Sequence, residues 1–224
     1  MTVAAGSGTR TAIKVCGITS LADAVTAACP ARGLGADLLG FIFHEPSPRN
    51  VAPAFVAAMD TPDHVLRVGV FVRQDADEVC RIMSRARLDL AQLAGDQDED
   101  FCRAVGSHRV MRVFWPQRYA DQADPLASLS GELARFSGLV RFVLLDAGTS
   151  GGGHGRSLDF AALANVRPPA PWWLAGGLGP DNLSSALSSC APFGVDLNSG
   201  VESSPGRKDK DKLAQAMEAV RTLD

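Results

Sequence analysis

The sequence predicts an α/β protein, a single closed (β/α)8 barrel of the TIM type. Three observations lead there. Short apolar runs of β character alternate with longer stretches whose apolar residues recur at helical spacing, eight of each kind can be traced, and no linker divides them. Strict alternation requires parallel strands joined by helical crossovers, and eight such units in roughly 210 residues fit a barrel with short loops. An open doubly wound sheet is the alternative that the same alternation allows.

The predicted strands run from Ile13 to Cys16, Leu38 to Phe43, Val65 to Val72, Leu88 to Leu93, Val110 to Trp115, Val140 to Leu145, Trp172 to Ala175 and Val195 to Leu197. Between and after them, helices are expected from Leu21 to Ala31, Ala54 to Met59, Asp77 to Arg85, Glu99 to Val105, Pro125 to Phe136, Leu158 to Leu163, Asp181 to Ser189 and Lys208 to Leu223. Local chemistry marks several starts. Thr19 or Ser20 can cap the first helix, with Asp23 placed to reach back, and Asp181 follows Pro180. The acidic run Asp96 to Asp100 suits a solvated helix start, where the helix dipole favours negative charge. The run from Lys208 to Lys212 alternates in sign and reads as an exposed helix face. Residues 1–11 are small and polar and are expected to form a loose tail, leaving 12–224 as the barrel domain. Pro168 to Pro171 is too short to join two domains.

Composition narrows the function classes. Apolar residues make up 46% and charged residues 21% of 224, enough for a sizeable core. A net charge of −3 offers a nucleic acid no electrostatic attraction, and no apolar run approaches the roughly 18 to 20 residues of a membrane span. The first residues lack the apolar stretch of a secretory signal. Cys16, Cys29, Cys80, Cys102 and Cys190 are odd in number and unpaired in spacing, which points to reduced thiols in a cytoplasm. Cys29, Cys80, Cys102 and Cys190 lie in or at the end of helical stretches and are read as packing residues. His44, His64, His108 and His154 show no metal spacing, so no metal is expected. Trp172 and Trp173 open the seventh strand and belong to the core or the barrel bottom.

In such a barrel the carboxyl ends of the strands and the loops after them build the active site. Side chains two apart on a strand share a face, so Lys14 aligns with Cys16, Leu90 with Gln92, Leu144 with Asp146, and Asp196 with Asn198. If that face is the inner one, the mouth holds a thiol, two carboxylates and amides. Two glycine-bearing turns end strands seven and eight: Ala175-Gly176-Gly177-Leu178-Gly179 and Asn198-Ser199-Gly200-Val201. Many barrels hold a phosphate between these loops on backbone N–H groups, so Gly176, Gly177, Leu178, Ser199 and Gly200 are candidates for a phosphorylated substrate. Tight turning without a ligand is the alternative.

From Ile13 to about Lys208 the motifs resemble the phosphoribosylanthranilate isomerase family of tryptophan biosynthesis. They are Lys14-Val15-Cys16-Gly17-Ile18, Gly40-Phe41-Ile42-Phe43 with Ser47-Pro48-Arg49, and Val68-Gly69-Val70-Phe71-Val72. Leu144-Leu145-Asp146 with Gly151-Gly152-Gly153-His154-Gly155, Leu174 to Leu178, Asp196 to Glu202 and Pro205-Gly206 complete them in order. The resemblance implies an Amadori rearrangement of N-(5-phosphoribosyl)anthranilate, an aminoaldose, to an aminoketose, with no metal or organic cofactor. It assigns Asp146 as general acid and Cys16 as general base, and Arg49 to the anthranilate carboxylate, which its planar fork suits. Gln92 and Asp196 resemble substrate-orienting positions. Lys14, on the face of Cys16, is a cation able to lower the thiol pKa; its alternative is a lysine satisfied by a carboxylate such as Asp196.

Three positions depart from the family pattern. Ala94 replaces a histidine after Gln92-Leu93, Asn50 stands where an aromatic follows the arginine, and His154 replaces a small hydroxyl residue. The competing readings are a related phosphate-binding barrel isomerase acting on a sugar phosphate or a histidine-pathway aminoaldose, and a non-catalytic barrel that binds phosphorylated ligands. A single-chain protein is expected, since no long exposed apolar helix demands a partner.

Overall fold

The computed structural model describes residues 10–28, 35–146 and 160–224. Cys29, the glycine-rich loop with His154, the first nine residues and the predicted helix start at Leu158 lie outside the described residues. Eight parallel strands close into a barrel in chain order: β1 (Ala12–Val15), β2 (Leu38–Ile42), β3 (Leu66–Phe71), β4 (Leu90–Leu93), β5 (Val110–Phe114), β6 (Phe142–Asp146), β7 (Trp172–Ala175) and β8 (Gly194–Leu197). The helices are α1 (Leu21–Ala28), α2 (Pro53–Ala57), α3 (Ala76–Ala86), α4 (Glu99–Val105), α5 (Pro125–Arg135), α6 (Phe160–Leu163), α7 (Leu183–Ser189) and α8 (Lys210–Leu223). A small antiparallel hairpin, β9 (Glu202–Ser204) with β10 (Arg207–Lys208), stands between β8 and α8. Following the register partners from Lys14 once around the barrel returns to β1 about eight residues out of step, the shear of an eight-stranded barrel with a filled interior.

That interior separates the two faces of each strand. Leu38, Val68, Leu90, Met111, Val113, Phe142, Leu144, Trp173 and Ala175 share one buried cluster and one strand parity, so they fill the barrel. Ile13, Val15, Leu39, Phe41, Leu145 and Val195 have the opposite parity. They form the larger outer core with Val79 and Met83 of α3, Leu129 and Leu133 of α5, and Leu213 and Met217 of α8. Burying each such side chain contributes roughly 1.5–3 kcal/mol, so this two-sided apolar pattern holds the barrel closed. Trp173 plugs the lower interior against Phe142 and Phe193, with ring centroids 5.9 and 5.7 Å away. Gly194 makes room for it, because a Cβ there would stand 2.6 Å from the indole.

Several expected boundaries move for local reasons. Ser20, not Thr19, supplies the first helix's hydroxyl, its Oγ accepting from Asp23 N at 3.1 Å; Thr19 Oγ1 instead donates to Gly206 O. Leu88 does not open β4. Its N–H donates to Met83 O, ending α3 through Arg87 in the left-handed region at φ 54°. The seventh helix begins at Leu183 rather than Asp181, after Asn182 ties the preceding turn by accepting from Gly179 N and donating to Gly177 O. The expected helix start at Lys208 is also corrected: α8 begins at Lys210, capped by Asp209, and Lys208 is a buried strand residue. Of the expected tail, Thr11 bonds through its N–H to Asp224 and through its carbonyl to Arg221. Among the described residues no helix is long and apolar enough to cross a membrane.

Candidate active site

Parity places Lys14, Cys16, Gln92, Asp146 and Asp196 on the inner face, continuous with the barrel-filling residues beneath them. Register also aligns four inward positions. Asp146 is the partner of Ala175, β7 and β8 run level so that Ala175 meets Asp196, and Asp196 is the partner of Lys14. Cys16 stands one inward step above Lys14, where its N–H donates to Leu197 O at 2.8 Å. The two side chains assigned to proton transfer thus lie at the same end of the barrel, on strands separated by β7 and β8.

Lys14 and Asp196 form a buried ion pair, Nζ to Oδ2 at 2.7 Å. Burial disfavours the Lys14 ammonium, but Asp196 and Cys16 beside it outweigh that and leave its pKa above the ordinary lysine value. The cation therefore persists. Burial pushes the Cys16 thiol up, with Asp196 adding to the shift; the attraction of Lys14 and, more weakly, Lys208 opposes it. Lys14 is paired with the Asp196 carboxylate, the alternative weighed for it, and its charge also lies beside the thiol. β2 passes so close to Cys16 that a Cβ on Gly40 would stand 2.7 Å from Sγ.

Among the described residues, the buried polar atoms on inner-face positions without a hydrogen-bond partner include the acceptors Gln92 Oε1 and Asp196 Oδ1 and the donor Trp115 Nε1. Gln92 and Asp196 are buried, so each has an acceptor position to offer a ligand hydroxyl or amine. Ala94 borders the same lining, and its methyl leaves that wall apolar. Asp146 is half-buried at the last position of β6.

Arg49 extends from the loop after β2 and places Nε 2.9 Å and Nη2 2.6 Å from the two carboxylate oxygens of Glu202. Glu202 also accepts from Lys208 Nζ at 2.8 Å, and Lys208 reaches Asn198 Oδ1 at 3.0 Å. Hydrogen bonds from Arg49 and Lys208 overcome the burial of Glu202 and hold its carboxyl below the usual range, while the Glu202 contact raises the Arg49 guanidinium. Lys208, expected on an exposed helix face, is thus part of the rim. Sequence reading assigned no role to Glu202 or Lys208. The signal available was the Asn198 to Glu202 motif followed closely by Pro205-Gly206, a hairpin turn that brings Lys208 back over Glu202.

The two glycine loops touch backbone to backbone. A Cβ on Gly200 would lie 2.2 Å from Leu178 O, and one on Gly179 2.6 Å from Gly200 O. Those two glycines serve the contact between loops. Gly177, at φ 68°, is different, since a Cβ there would meet nothing within 4 Å. The turn keeps an open approach at that residue. Burial pushes the Cys102 and Cys190 thiols up to about 11, so both stay protonated and serve packing. Among the described residues no group of three or more His, Cys, Asp or Glu side chains is placed to hold a metal ion.

Fold and site together define a (β/α)8 barrel enzyme whose inward polar groups gather at the carboxyl end of the strands. The family model described as N-(5'phosphoribosyl)anthranilate (PRA) isomerase matches residues 13–219, and the chain belongs to that family. It is 49% identical over 208 residues to the N-(5'-phosphoribosyl)anthranilate isomerase of Maridesulfovibrio salexigens, covering 93% of this chain and 97% of the relative. The phosphoribosyl anthranilate isomerase structure from Thermotoga maritima superposes with a TM-score of 0.80 at 28% identity, over 95% of this chain and 99% of the other. A phosphoribosyl anthranilate isomerase in complex with reduced 1-(o-carboxyphenylamino)-1-deoxyribulose 5-phosphate gives 0.76 at 27% identity, with 95% and 99% covered.

Proposed function

We propose that this chain isomerises N-(5'-phosphoribosyl)anthranilate to 1-(o-carboxyphenylamino)-1-deoxyribulose 5-phosphate, the Amadori step of tryptophan biosynthesis. The observation that carries the residue assignment is the inward row of Asp146, Asp196 and Lys14 with Cys16 directly above it. Asp146, protonated, gives its proton to the ribose ring oxygen as the C1'–O bond breaks, leaving an open-chain imine cation. Cys16, as thiolate, then takes the C2' proton; the C2'–H electrons form the C1'=C2' bond as the C1'=N π pair returns to nitrogen, giving an enolamine that becomes the ketone when its 2'-hydroxyl loses a proton and C1' gains one.

The remaining roles follow the shape of the rim. Arg49 receives the aryl carboxylate on the guanidinium edge that Glu202 does not occupy. Gly176, Gly177, Leu178, Ser199 and Gly200 cradle the phosphate, with the open face of Gly177 supporting that reading. Gln92 Oε1 and Asp196 Oδ1 orient the sugar. Steady-state kinetics on Cys16→Ala and Asp146→Ala test the assignment: each loses about 10²- to 10⁴-fold in kcat while phosphate-ligand affinity persists. Wild-type turnover in either variant removes that residue from the reaction.

Ala94 favours a second reading, acceptance of a further aminoaldose, because the small side chain widens the wall beside Gln92. Turnover of a histidine-pathway aminoaldose by the wild type, lost in Ala94→His, supports it. Two expectations go forward on the same terms. A single chain in solution is tested by light scattering against 23.5 kDa, and a cytoplasmic site by cell fractionation.

A further inference from the structure

We propose that Glu202, braced by Lys208, is a positioning residue that holds the Arg49 guanidinium in place at the barrel mouth. Arg49 sits on a loop at the rim with its side chain 17% exposed, and a long flexible arginine there would sample many rotamers. The Glu202 carboxylate, only 4% exposed, meets it fork to fork through Nε and Nη2, which sets the plane and the direction of the guanidinium together. The outer edge carrying Nη1 is thereby turned toward other partners.

The carboxylate is itself held from several sides. Lys208, with no exposed side-chain surface, donates to Glu202 Oε1 and to both oxygens of Asn198, while Lys212 Nζ donates to the Glu202 carbonyl at 3.1 Å. The hairpin carrying Glu202 and Lys208 is tied to the loops after β1 and β2. Thr19 Oγ1 donates to Gly206 O, and a Cβ at Gly206, φ 82°, would lie 3.2 Å from Pro48 O, one residue before Arg49. Gly17 passes beneath the arginine stem so closely that a Cβ would stand 2.7 Å from Arg49 Cδ. One carboxylate between the Arg49 and Lys208 charges leaves a positive excess, which favours an anionic group at the open edge.

This inference rests on the reading that Arg49 binds the aryl carboxylate, and the test separates the two. KM and kcat are measured for wild type, Glu202→Gln, Arg49→Met and the double variant. The substrates are N-(5'-phosphoribosyl)anthranilate and the corresponding phosphoribosyl aniline lacking the carboxylate. Glu202→Gln raises KM for the carboxylated substrate by about 10- to 100-fold with kcat within about threefold. The penalty disappears in the Arg49→Met background and on the aniline. Glu202→Asp, which keeps the charge on a shorter stem, gives an intermediate KM and replaces Glu202→Gln should that variant not fold. A KM unchanged in Glu202→Gln while Arg49→Met costs affinity overturns the positioning role alone. An Arg49→Met variant with wild-type KM overturns the parent reading and this one with it. A Glu202→Gln penalty that persists on the aniline or beside Arg49→Met also overturns it, since Glu202 would then act without Arg49.

Discussion

Lys14 and Asp196 come from adjacent strands, β1 and β8, that lie 182 residues apart in the chain, and they meet at 2.7 Å inside the barrel. The pair closes the seam between the first and last strands and sits directly under Cys16. It satisfies one carboxylate oxygen of Asp196 while the other has no partner among the described residues. A buried cation thus serves both the closure and the site above it.

Removing one member of that pair strands the other. Asp196→Ala leaves the buried Lys14 ammonium without its carboxylate and is expected to destabilise the barrel by roughly 3–5 kcal/mol. Thermal unfolding checks this, and a loss below about 1 kcal/mol would show that Lys14 finds water or another acceptor.

The buried thiol sets a pH dependence. Because burial raises the Cys16 pKa despite Lys14, the base form gains population only as pH climbs through and beyond the ordinary thiol range. Free-enzyme kcat/KM is therefore expected to rise on the alkaline side. Lys208→Gln removes a cation that lowers the thiol pKa, so its limb moves further up. An ascending limb complete below neutrality would assign the base to another group.

Glu202 sets a second, acid-side dependence. Its folded pKa lies below the ordinary 4.5, so ionised Glu202 contributes stability above that value and loses it as pH falls through the folded pKa. Unfolding free energy is expected to fall more steeply with acid below about pH 4.5 in wild type than in Glu202→Gln. Denaturant melts at stepped pH check the slopes, and parallel curves would exclude the linkage.

Gly40→Ala places a methyl against Cys16 Sγ and its backbone at 2.7 and 3.0 Å. The thiol has to turn, so kcat is expected to fall by about 10- to 100-fold with a much smaller change in KM. An unaltered kcat would show that the strands separate without moving the sulfur.

Gly200→Ala drives a methyl into the backbone of the loop after β7, 2.2 Å from Leu178 O. Neither loop can yield by a rotamer change, so a cost of roughly 1–3 kcal/mol or more is expected, with weakened phosphate affinity. Gly177→Ala meets open space but carries strain at φ 68°, and is expected to cost about 1 kcal/mol. Equal melting temperatures for the two variants would contradict the contact between loops.

Much of this was legible in the chain because the determinants are local. Alternation of β-type and helical apolar spacing announced eight βα units, and period-two parity paired Lys14 with Cys16, Leu90 with Gln92, Leu144 with Asp146 and Asp196 with Asn198, leaving to the barrel which of these faces turn inward. Where sequence reading failed, a turn had folded the chain back on itself within a few residues. Lys208 looked like a solvated helix residue from its charged neighbours, yet the Gly206 turn folds it onto Glu202, and desolvation there lowers its own pKa against the pull of that carboxylate. Leu88 looked like strand, but the left-handed Arg87 cap drew it to Met83.

The sequence by itself therefore determined the order of elements, which side chains of a strand share a face and the positions of the glycine turns, since each depends on spacing within a few residues. Tertiary structure alone decided that Lys14 meets Asp196, that Arg49 is gripped by Glu202, and that Gly200 lies against Leu178. Those contacts join segments brought together only when the barrel closes, and spacing along the chain carries no measure of distance across it.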